Sequence, residues 1–389
     1  MKVLHVLEAI EGGTARHLSY VVRYVDAEHV VVVPPERVGG LTDTDTLDML
    51  HDRGIPVHVV PMRRSPASRH NTTAIAQVSA LIHSHKPDVV HGHSSIGGAI
   101  ARIAALSSSA ARVYTPNGLF PARYAMAIER TLGHVTDVFI ASSPSEAEQV
   151  RDHRLVPPRR LVVVPNAIEL ERPPPASHDV RMKLGVAADT PIVGTVARLV
   201  PQKGPEVFVR ACATIARHAP NARFVLVGDG PLTDLVESEI NRLGLDDRFL
   251  LLQHCNEGPR IISQFDVFAL PSRYEAGAAF APMEAMRAGT PVVLTDVVGN
   301  RDAVEDGTSG FIVPIDEPAA LADRVTRLLD DATLRQSFAA AATERLADRF
   351  DIRSAACRLR EVYFQAARSH RHAGPRPARR HPSVAVGSR

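Results

Sequence analysis

Residues 271–299 read PSRYEAGAAFAPMEAMRAGTPVVLTDVVG. The first part is rich in Gly and Ala, which is typical of a loop. Pro282 suits the first position of a helix, and Gly289 followed by Pro291 ends that helix before the apolar residues 292–294. The stretch therefore predicts a loop, a short helix and a strand in direct succession, as in a parallel α/β sheet.

The start of this predicted helix is a candidate anion site. Free backbone N–H groups and the positive end of the helix dipole favour a negative group there, above all a phosphate. Glu275 and Glu284 flank the site, and their carboxylates can accept hydrogen bonds from hydroxyl groups of a sugar or a ribose. The combination indicates a nucleotide-sugar site. A purely structural explanation stays open here, because the helix dipole alone favours Glu near a helix start.

Short apolar runs alternate with helical stretches on either side of this unit. The runs predict strands at residues 2–7, 30–33, 57–60, 89–91, 113–115, 138–141 and 161–164. Further strands are predicted at residues 192–196, 224–227, 249–252, 267–270, 292–294 and 311–313. This alternation predicts an α/β protein with two doubly wound parallel sheets, each covered by helices on both faces.

Composition breaks give the domain limits. Three consecutive prolines at 173–175 interrupt the alternation, so we assign residues 1–170 to an N-terminal domain, 171–180 to a linker and 181–350 to a C-terminal domain. Residues 370–389 hold five Arg, three His and no acidic residue. We expect a disordered, solvated tail over 369–389, with contact to anionic lipid headgroups as the alternative.

The overall composition excludes several classes of protein. A formal net charge of +2 argues against a dedicated nucleic-acid-binding protein, which usually carries a concentrated basic face. Cys212, Cys255 and Cys357 are scattered, so neither a disulfide framework nor a zinc knuckle is predicted, and a cytoplasmic location fits best. No apolar run approaches the roughly 18 residues of a spanning helix, so we expect any membrane contact to be peripheral.

Two further loops at predicted strand ends carry groups suited to a phosphate ligand. Gly12 and Gly13 follow the opening strand and let the backbone approach a ligand closely. Arg198 and Lys203 lie on the loop after the first strand of the second domain, where they can converge on a diphosphate. Fixed cations and helix N–H groups would stabilise a departing nucleoside diphosphate, so we predict neither a metal ion nor another cofactor.

An Asp-x-Asp sequence, Asp43-Thr44-Asp45, superficially matches a metal motif. It lies between a polar, Gly-rich loop and a helical stretch, where Asp and Thr serve as helix caps. We therefore predict a cap and not a metal site.

These motifs resemble those of the family 4 retaining glycosyltransferases, which have two Rossmann-like domains facing each other across a cleft in the arrangement called GT-B. The resemblance covers nearly the whole chain. The segments that carry it are the two-Glu stretch, Gly12-Gly13, His91-Gly92-His93-Ser94, Thr115-Pro116-Asn117-Gly118, Arg198 with Lys203, and Val227-Gly228-Asp229-Gly230. In the family the last helix crosses back to the first domain, which implies that role for residues 351–368.

The resemblance implies a role for each matching residue. Phosphate-binding cations, a ribose-binding carboxylate and neighbouring backbone groups form the substrate-binding set, which is Gly12, Arg198, Lys203, Gly228, Asp229, Ala278, Ala279 and Glu284. The groups near the reacting sugar are Gly13, His93, Asn117 and Glu275.

Two departures from the family pattern stand out. Eight residues lie between Glu275 and Glu284, one more than is usual in the family. Asn117 stands where the family has a His, and an amide cannot accept a proton near neutral pH. Proton handling would then fall on His93 or on the departing phosphate.

The expected function is retaining, metal-independent transfer of a hexose from a nucleotide sugar, with uridine diphosphate as the leaving group. The acceptor is left open between a glycan, a lipid-linked sugar and a small molecule, and the lipid-linked case would bring the protein to the inner membrane face. A nucleotide-sugar epimerase of similar fold is one alternative. The two departures also keep open a non-catalytic nucleotide-sugar-binding protein.

Overall fold

A computed structural model describes residues 1–35, 43–63, 65–66, 68–119, 122–253, 255, 257–275 and 277–372. Two parallel sheets form its framework. The first has the strand order β3-β2-β1-β4-β5-β6-β7, and the second has the order β10-β9-β8-β11-β12-β13. The strands are β1 (Lys2–Leu7), β2 (Glu28–Val33), β3 (Val57–Val59), β4 (Val89–His93), β5 (Ala111–Thr115), β6 (Val138–Ala141), β7 (Leu161–Val163), β8 (Ile192–Val196), β9 (Arg223–Val227), β10 (Phe249–Leu252), β11 (Val267–Leu270), β12 (Val292–Thr295) and β13 (Phe311–Val313).

Helices connect successive strands and cover both faces of each sheet. They are α1 (Gly12–Tyr24), α2 (Thr44–Asp52), α3 (Arg69–His85), α4 (Ser95–Ala104), α5 (Arg123–Gly133), α6 (Pro144–Asp152), α7 (Val180–Leu184), α8 (Pro205–His218), α9 (Thr233–Arg242), α10 (Gly258–Ile261), α11 (Phe280–Ala288), α12 (Asn300–Ala303), α13 (Pro318–Asp330), α14 (Ala332–Arg349) and α15 (Ile352–His372). The predicted fold class, two Rossmann-like α/β domains, is confirmed.

The strands are apolar because the sheets are buried on both faces. In β1, for example, Val3, Leu4, Val6 and Leu7 are fully buried although they point alternately to opposite faces. Helices are apolar on one side only, which explains why the strand runs are the clearer signal in this sequence.

The last helix is longer than expected. Residues 351–368 were predicted to form it, whereas α15 begins at Ile352 and continues to His372. Helix α15 packs against the N-terminal sheet, where Leu359 and Tyr363 share a core cluster with Val113 of β5. The predicted tail beyond residue 372 lies outside the described residues.

Each sheet reverses its direction of winding once, between β1 and β4 and between β8 and β11. Ligands of doubly wound sheets bind outside the carboxyl ends of the strands at such a reversal. Gly12 begins the helix after β1, His93 is the last residue of β4, and Arg198 and Glu275 lie on the loops that follow β8 and β11. The fold therefore places candidate site residues at the position where a ligand is expected.

None of the helices in the described part of the chain is long and apolar enough to cross a membrane.

Candidate active site

The glycine loop of the first domain lies directly against the second domain. Gly12 has a φ of +52°, and a Cβ atom at that position would lie 3.5 Å from Arg198 Nε. A Cβ atom on Gly13 would lie 3.6 Å from the ring of Phe280, the first residue of α11. The loop after β1, the loop after β8 and the start of α11 therefore meet at one place between the domains.

The cations predicted for phosphate binding are paired with carboxylates of the same cleft. Arg198 Nη1 lies 3.6 Å from Glu11 Oε1, which joins the two domains. Lys203 donates to Glu275, whose Oε1 also accepts from Ser272 Oγ at 2.6 Å. A phosphate ligand would replace these carboxylates as the partner of each cation.

Glu284 is bound by a residue that the sequence interpretation did not assign. Arg16 of α1 donates to the Glu284 carboxylate, and the Glu284 residue is only 2% exposed. Arg16 therefore holds the carboxylate that was predicted to receive the ribose hydroxyls, and its guanidinium would have to be displaced or shared when a ribose binds. The neighbouring Glu284 raises the pKa of Arg16 above its usual value.

Helix α11 begins two residues earlier than predicted. The predicted first residue was Pro282, whereas the helix starts at Phe280 with Ala279 as its N-cap. The first four N–H groups of any helix lack an intrahelical partner, so a proline costs no hydrogen bond at any of these positions. Because Ala279 has no polar side chain to cap the helix, the first N–H groups of α11 are available to an anion.

Two of the small residues before α11 were predicted to expose backbone N–H groups to a ligand. Ala278 is 1% exposed, and its carbonyl oxygen accepts a hydrogen bond from Asn166 Nδ2 of the first domain at 3.2 Å. The Ala278 side chain is therefore part of the packed domain contact, whereas Ala279 stands at the helix start. Ala276 lies outside the described residues.

The Gly228-Asp229-Gly230 turn packs against the loop that carries Arg198. A Cβ atom on Gly228 would lie 1.9 Å from the carbonyl oxygen of Ala197. Leu199 N donates to the Asp229 carbonyl oxygen at 2.7 Å. These contacts leave no room for a side chain at Gly228, and they fix the backbone on both sides of Arg198.

The opposite wall of the cleft is formed by the ends of β4 and β5 with His17 of α1 beside them. Three buried side-chain atoms there have no hydrogen-bond partner among the described residues, namely His17 Nε2, His93 Nδ1 and Asn117 Nδ2. The rings of His17 and His93 are 5.5 Å apart, and the backbones of His93 and Thr115, two residues before Asn117, are register partners. Buried polar atoms are almost always hydrogen-bonded, so these three indicate a position for a ligand or for water.

Backbone strain marks the same wall. Ser94 has φ +59° and ψ 177°, a region that is rare outside glycine, and Asn117 has φ +50°. Asn tolerates the left-handed region better than most residues, which gives a structural reason for an amide at position 117. Strain of this kind is concentrated at functional sites.

A cluster of buried histidines lies beneath this wall. His5 and His91 are register partners on β1 and β4, and His93 follows on the same face of β4. Burial lowers the pKa of all three well below 6.5, so they are neutral. Their ligand atoms lie within 4.8 Å of one another, close enough for a metal ion. Every ring nitrogen of His5 and His91 nevertheless has a protein partner, Tyr363 and Thr115 serving His91.

Asp43 behaves as the sequence predicted. It is the N-cap of α2 and accepts a hydrogen bond from Thr46 N at 2.9 Å. The cap prediction is confirmed.

Sequence reasoning missed Arg16, His5 and His29 as parts of the site. Arg16 carried no signal, because its partner lies in the other domain. The two histidines did carry one: a polar ring inside an otherwise apolar strand such as residues 2–7 or 28–33 calls for a buried partner.

Comparison with known proteins shows the family to which the chain belongs. Residues 11–172 match the family model Glycosyltransferase Family 4, and residues 177–345 match the model Glycosyl transferases group 1. The chain is 30% identical over 302 residues to the UDP-Gal:alpha-D-GlcNAc-diphosphoundecaprenol alpha-1,3-galactosyltransferase of Escherichia coli, covering 74% of this chain and 78% of that protein. The chain belongs to glycosyltransferase family 4. This glycosyltransferase is also 28% identical to a D-inositol 3-phosphate glycosyltransferase of Salinispora tropica, covering 94% of this chain and 78% of the relative.

Solved structures show the same fold. The Anabaena protein HepE in complex with UDP and glucose superposes on the glycosyltransferase with a TM-score of 0.81 at 22% identity, covering 94% of this chain and 100% of HepE. A sucrose-phosphate synthase from Thermosynechococcus elongatus gives a TM-score of 0.78 at 20% identity, over 95% of this chain and 99% of that one. The GT-B arrangement and the transfer of sugar from a nucleotide-sugar donor are thus confirmed. The two relatives found by sequence similarity are both named as sugar transferases, so neither supports the epimerase or the non-catalytic alternative.

Proposed function

We propose that this glycosyltransferase moves a hexose from a UDP-sugar to its acceptor with retention of anomeric configuration and without a metal ion. The observation that carries the proposal is the meeting of the Gly12-Gly13 loop with Arg198 and with the start of α11. A donor in that space would have its diphosphate beside fixed positive groups of the second domain. Its sugar would face the strand ends of the first domain.

The charges of the cleft support this orientation. Arg198, Lys203 and the uncapped N–H groups of α11 together supply positive potential where the leaving diphosphate gains negative charge. Each of the two cations pairs with a carboxylate, and a phosphate can replace a carboxylate as a partner of Arg or Lys. Protein groups alone can then stabilise the leaving group, which is the basis for proposing transfer without a metal.

The names of related proteins support the choice of UDP. The E. coli relative is named for a UDP-linked galactose donor, and HepE has been solved with UDP and glucose. Glu284 is proposed to receive the ribose hydroxyls once Arg16 releases it, and Glu275 to lie near the hexose. Gly13, His93 and Asn117 are proposed to surround the reacting groups.

The acceptor side is proposed to be the wall formed by β4 and β5, which carries the unpartnered His93 and Asn117 atoms. A glycan, a lipid-linked sugar and a small molecule all offer a hydroxyl group to such a wall. The E. coli relative is named for a diphosphoundecaprenol-linked acceptor and the Salinispora relative for inositol 3-phosphate. With a lipid-linked acceptor, a cytoplasmic enzyme would work at the inner membrane face.

Incubation of the enzyme with isotope-labelled nucleotide sugars tests the proposal. We expect label to pass from a UDP-hexose to an added acceptor, with full activity in excess EDTA because protein cations stabilise the leaving group. NMR of the product should show the anomeric configuration of the donor. Turnover restricted to purine donors, loss of activity in EDTA that a divalent ion restores, or an inverted product would each contradict the corresponding part of the proposal.

A further inference from the structure

A chain of hydrogen-bonded histidines runs from the body of the first domain to the active-site wall. His29 Nε2 lies 3.0 Å from the carbonyl oxygen of Val25, and His29 Nδ1 lies 3.0 Å from His5 Nε2. His5 Nδ1 in turn lies 3.1 Å from His93 Nε2. All of these side chains are buried, and the chain ends at His93 Nδ1, which has no hydrogen-bond partner within the part of the protein that the structure describes.

The carbonyl at one end determines every proton position in the chain. A carbonyl oxygen only accepts, so His29 Nε2 must carry the proton and donate it. In a neutral ring the other nitrogen is then a bare acceptor, so His29 Nδ1 accepts from His5 Nε2–H. The same logic makes His5 Nδ1 the acceptor of the His93 Nε2–H bond. His93 Nδ1 is left with a lone pair and no proton.

The neutral state on which this logic depends has a physical cause. Burial is the largest factor lowering the pKa of His5, His29 and His93, and neighbouring histidine rings lower the pKa of His5 and His93 further. Among the described residues, no carboxylate shifts these three pKa values, and the only group that raises one of them is the Val25 carbonyl, whose effect on His29 is smaller than that of burial. The neutral form is therefore favoured for each ring.

We propose that His29 and His5 are positioning residues that lock His93 in the Nε2–H tautomer, so that His93 Nδ1 accepts a hydrogen bond from a substrate hydroxyl. The inference rests on the proposed function, because it places a sugar hydroxyl at the β4–β5 wall. The free lone pair requires a donor, and a hydroxyl is the donor that a sugar supplies. Asn117 Nδ2 on the same wall is a donor that no described residue accepts from, and it complements His93 by offering a hydrogen bond to a sugar oxygen.

The fixed tautomer of His93 also argues against two other roles for these rings, those of general acid and of metal ligand. A general acid would need a proton on Nδ1 of His93, and the chain places that proton on Nε2. A metal ion bound by His5, His91 and His93 through the atoms that now face each other would need lone pairs on both His5 Nδ1 and His93 Nε2, whereas the hydrogen bond between them requires one proton.

The tautomers can be read directly by ¹⁵N NMR of the full-length enzyme labelled at histidine. We expect the Nε2–H form for His29, His5 and His93. The resonances can be assigned with variants in which one histidine at a time is replaced. A His93 resonance of the Nδ1–H form, or zinc bound stoichiometrically to the purified enzyme and lost in His5→Asn, would overturn the proposal.

A matched pair of variants tests the consequence for catalysis. His29→Asn places an amide oxygen near the position of Nδ1 and can still accept from His5, whereas His29→Leu cannot; both lose the bond to Val25. We expect kcat/KM to be roughly five- to tenfold lower in His29→Leu than in His29→Asn, since about one hydrogen bond is at stake. His93 in His29→Leu should show a mixture of tautomers. Equal kinetics with equal spectra in the two variants would overturn the inference.

Substrate analogues locate the hydroxyl. A deoxy donor or a deoxy acceptor that lacks the hydroxyl bound by His93 should lower kcat/KM. The decrease should be several-fold smaller in His29→Leu than in His29→Asn, because the hydrogen bond is already weakened in His29→Leu. A deoxy donor with this effect assigns the contact to the donor sugar, and a deoxy acceptor assigns it to the acceptor. An enzyme that shows the Nε2–H tautomers but transfers no sugar would refute the proposed function and leave the lock intact.

Discussion

Replacing Arg198 or Lys203 by Ala is expected to lower kcat/KM for the nucleotide sugar by about 10²- to 10³-fold, the usual effect of removing one group that stabilises charge in a transition state. Both side chains reach the cleft, Arg198 at Glu11 and Lys203 at Glu275. The diphosphate gains negative charge as it leaves, so kcat should fall more than affinity for the donor. Steady-state kinetics with a labelled donor measure the two constants separately.

Arg217→Ala is the matched control. Arg217 lies on α8 of the same domain and donates to two partners of its own helix, the Ala213 carbonyl oxygen and Thr214 Oγ1. Its removal lowers the net charge of the domain equally but should leave kcat/KM within about twofold of the original enzyme, as most surface changes do. Equal losses in all three variants would mean that overall charge, and not the cleft, drives donor use.

The glycosyltransferase is expected to lose stability steeply as the pH falls below 6.5, because it buries neutral histidines. The folded-state pKa values of His5, His91 and His93 lie well below the usual value of 6.5. Below pH 6.5 the unfolded chain binds protons at these rings and the folded protein does not. Integrated from pH 7.5 to 5.5, each of these rings removes about 1.4 kcal/mol of unfolding free energy, or about 4 kcal/mol for the three, which is an average slope of about 2 kcal/mol per pH unit. Denaturant unfolding across this range measures the slope.

Two variants separate the buried rings from ordinary surface histidines. His91→Gln removes one titrating ring and should reduce the slope by about a third of the three-ring value, whatever its effect on absolute stability. His51→Gln alters a side chain that is 93% exposed and should leave the slope unchanged. A His91→Gln variant that keeps the slope of the original enzyme would show that this ring is not buried in neutral form.

The sequence predicts the sheets well because their strands are buried on both faces. Residues 267–270, for example, were predicted as a strand and form β11 with the same limits. Boundaries were less certain where chemistry permits several positions, as at the start of α11. Pro282 fits any of the first helical positions, so the residue alone could not determine that the helix begins at Phe280.

The sequence could not predict contacts that depend on how the domains meet. Arg16 and Glu284 are separated by 268 positions and lie on helices of different domains. Only the docking of α1 beside α11 brings them together. The histidine chain likewise depends on the strand order β2-β1-β4 and on the register of β1 with both neighbours, which brings His5 within reach of His29 and His93. Neither the order nor the register follows from hydrophobic pattern alone, since every strand of the sheet is apolar.

A crystal structure of the enzyme with UDP tests the central claim most directly. We predict that the diphosphate lies between Arg198, Lys203 and the first N–H groups of α11, and that the ribose hydroxyls donate to Glu284 in place of Arg16. A diphosphate bound elsewhere, with Lys203 still on Glu275 and Arg16 still on Glu284, would contradict it.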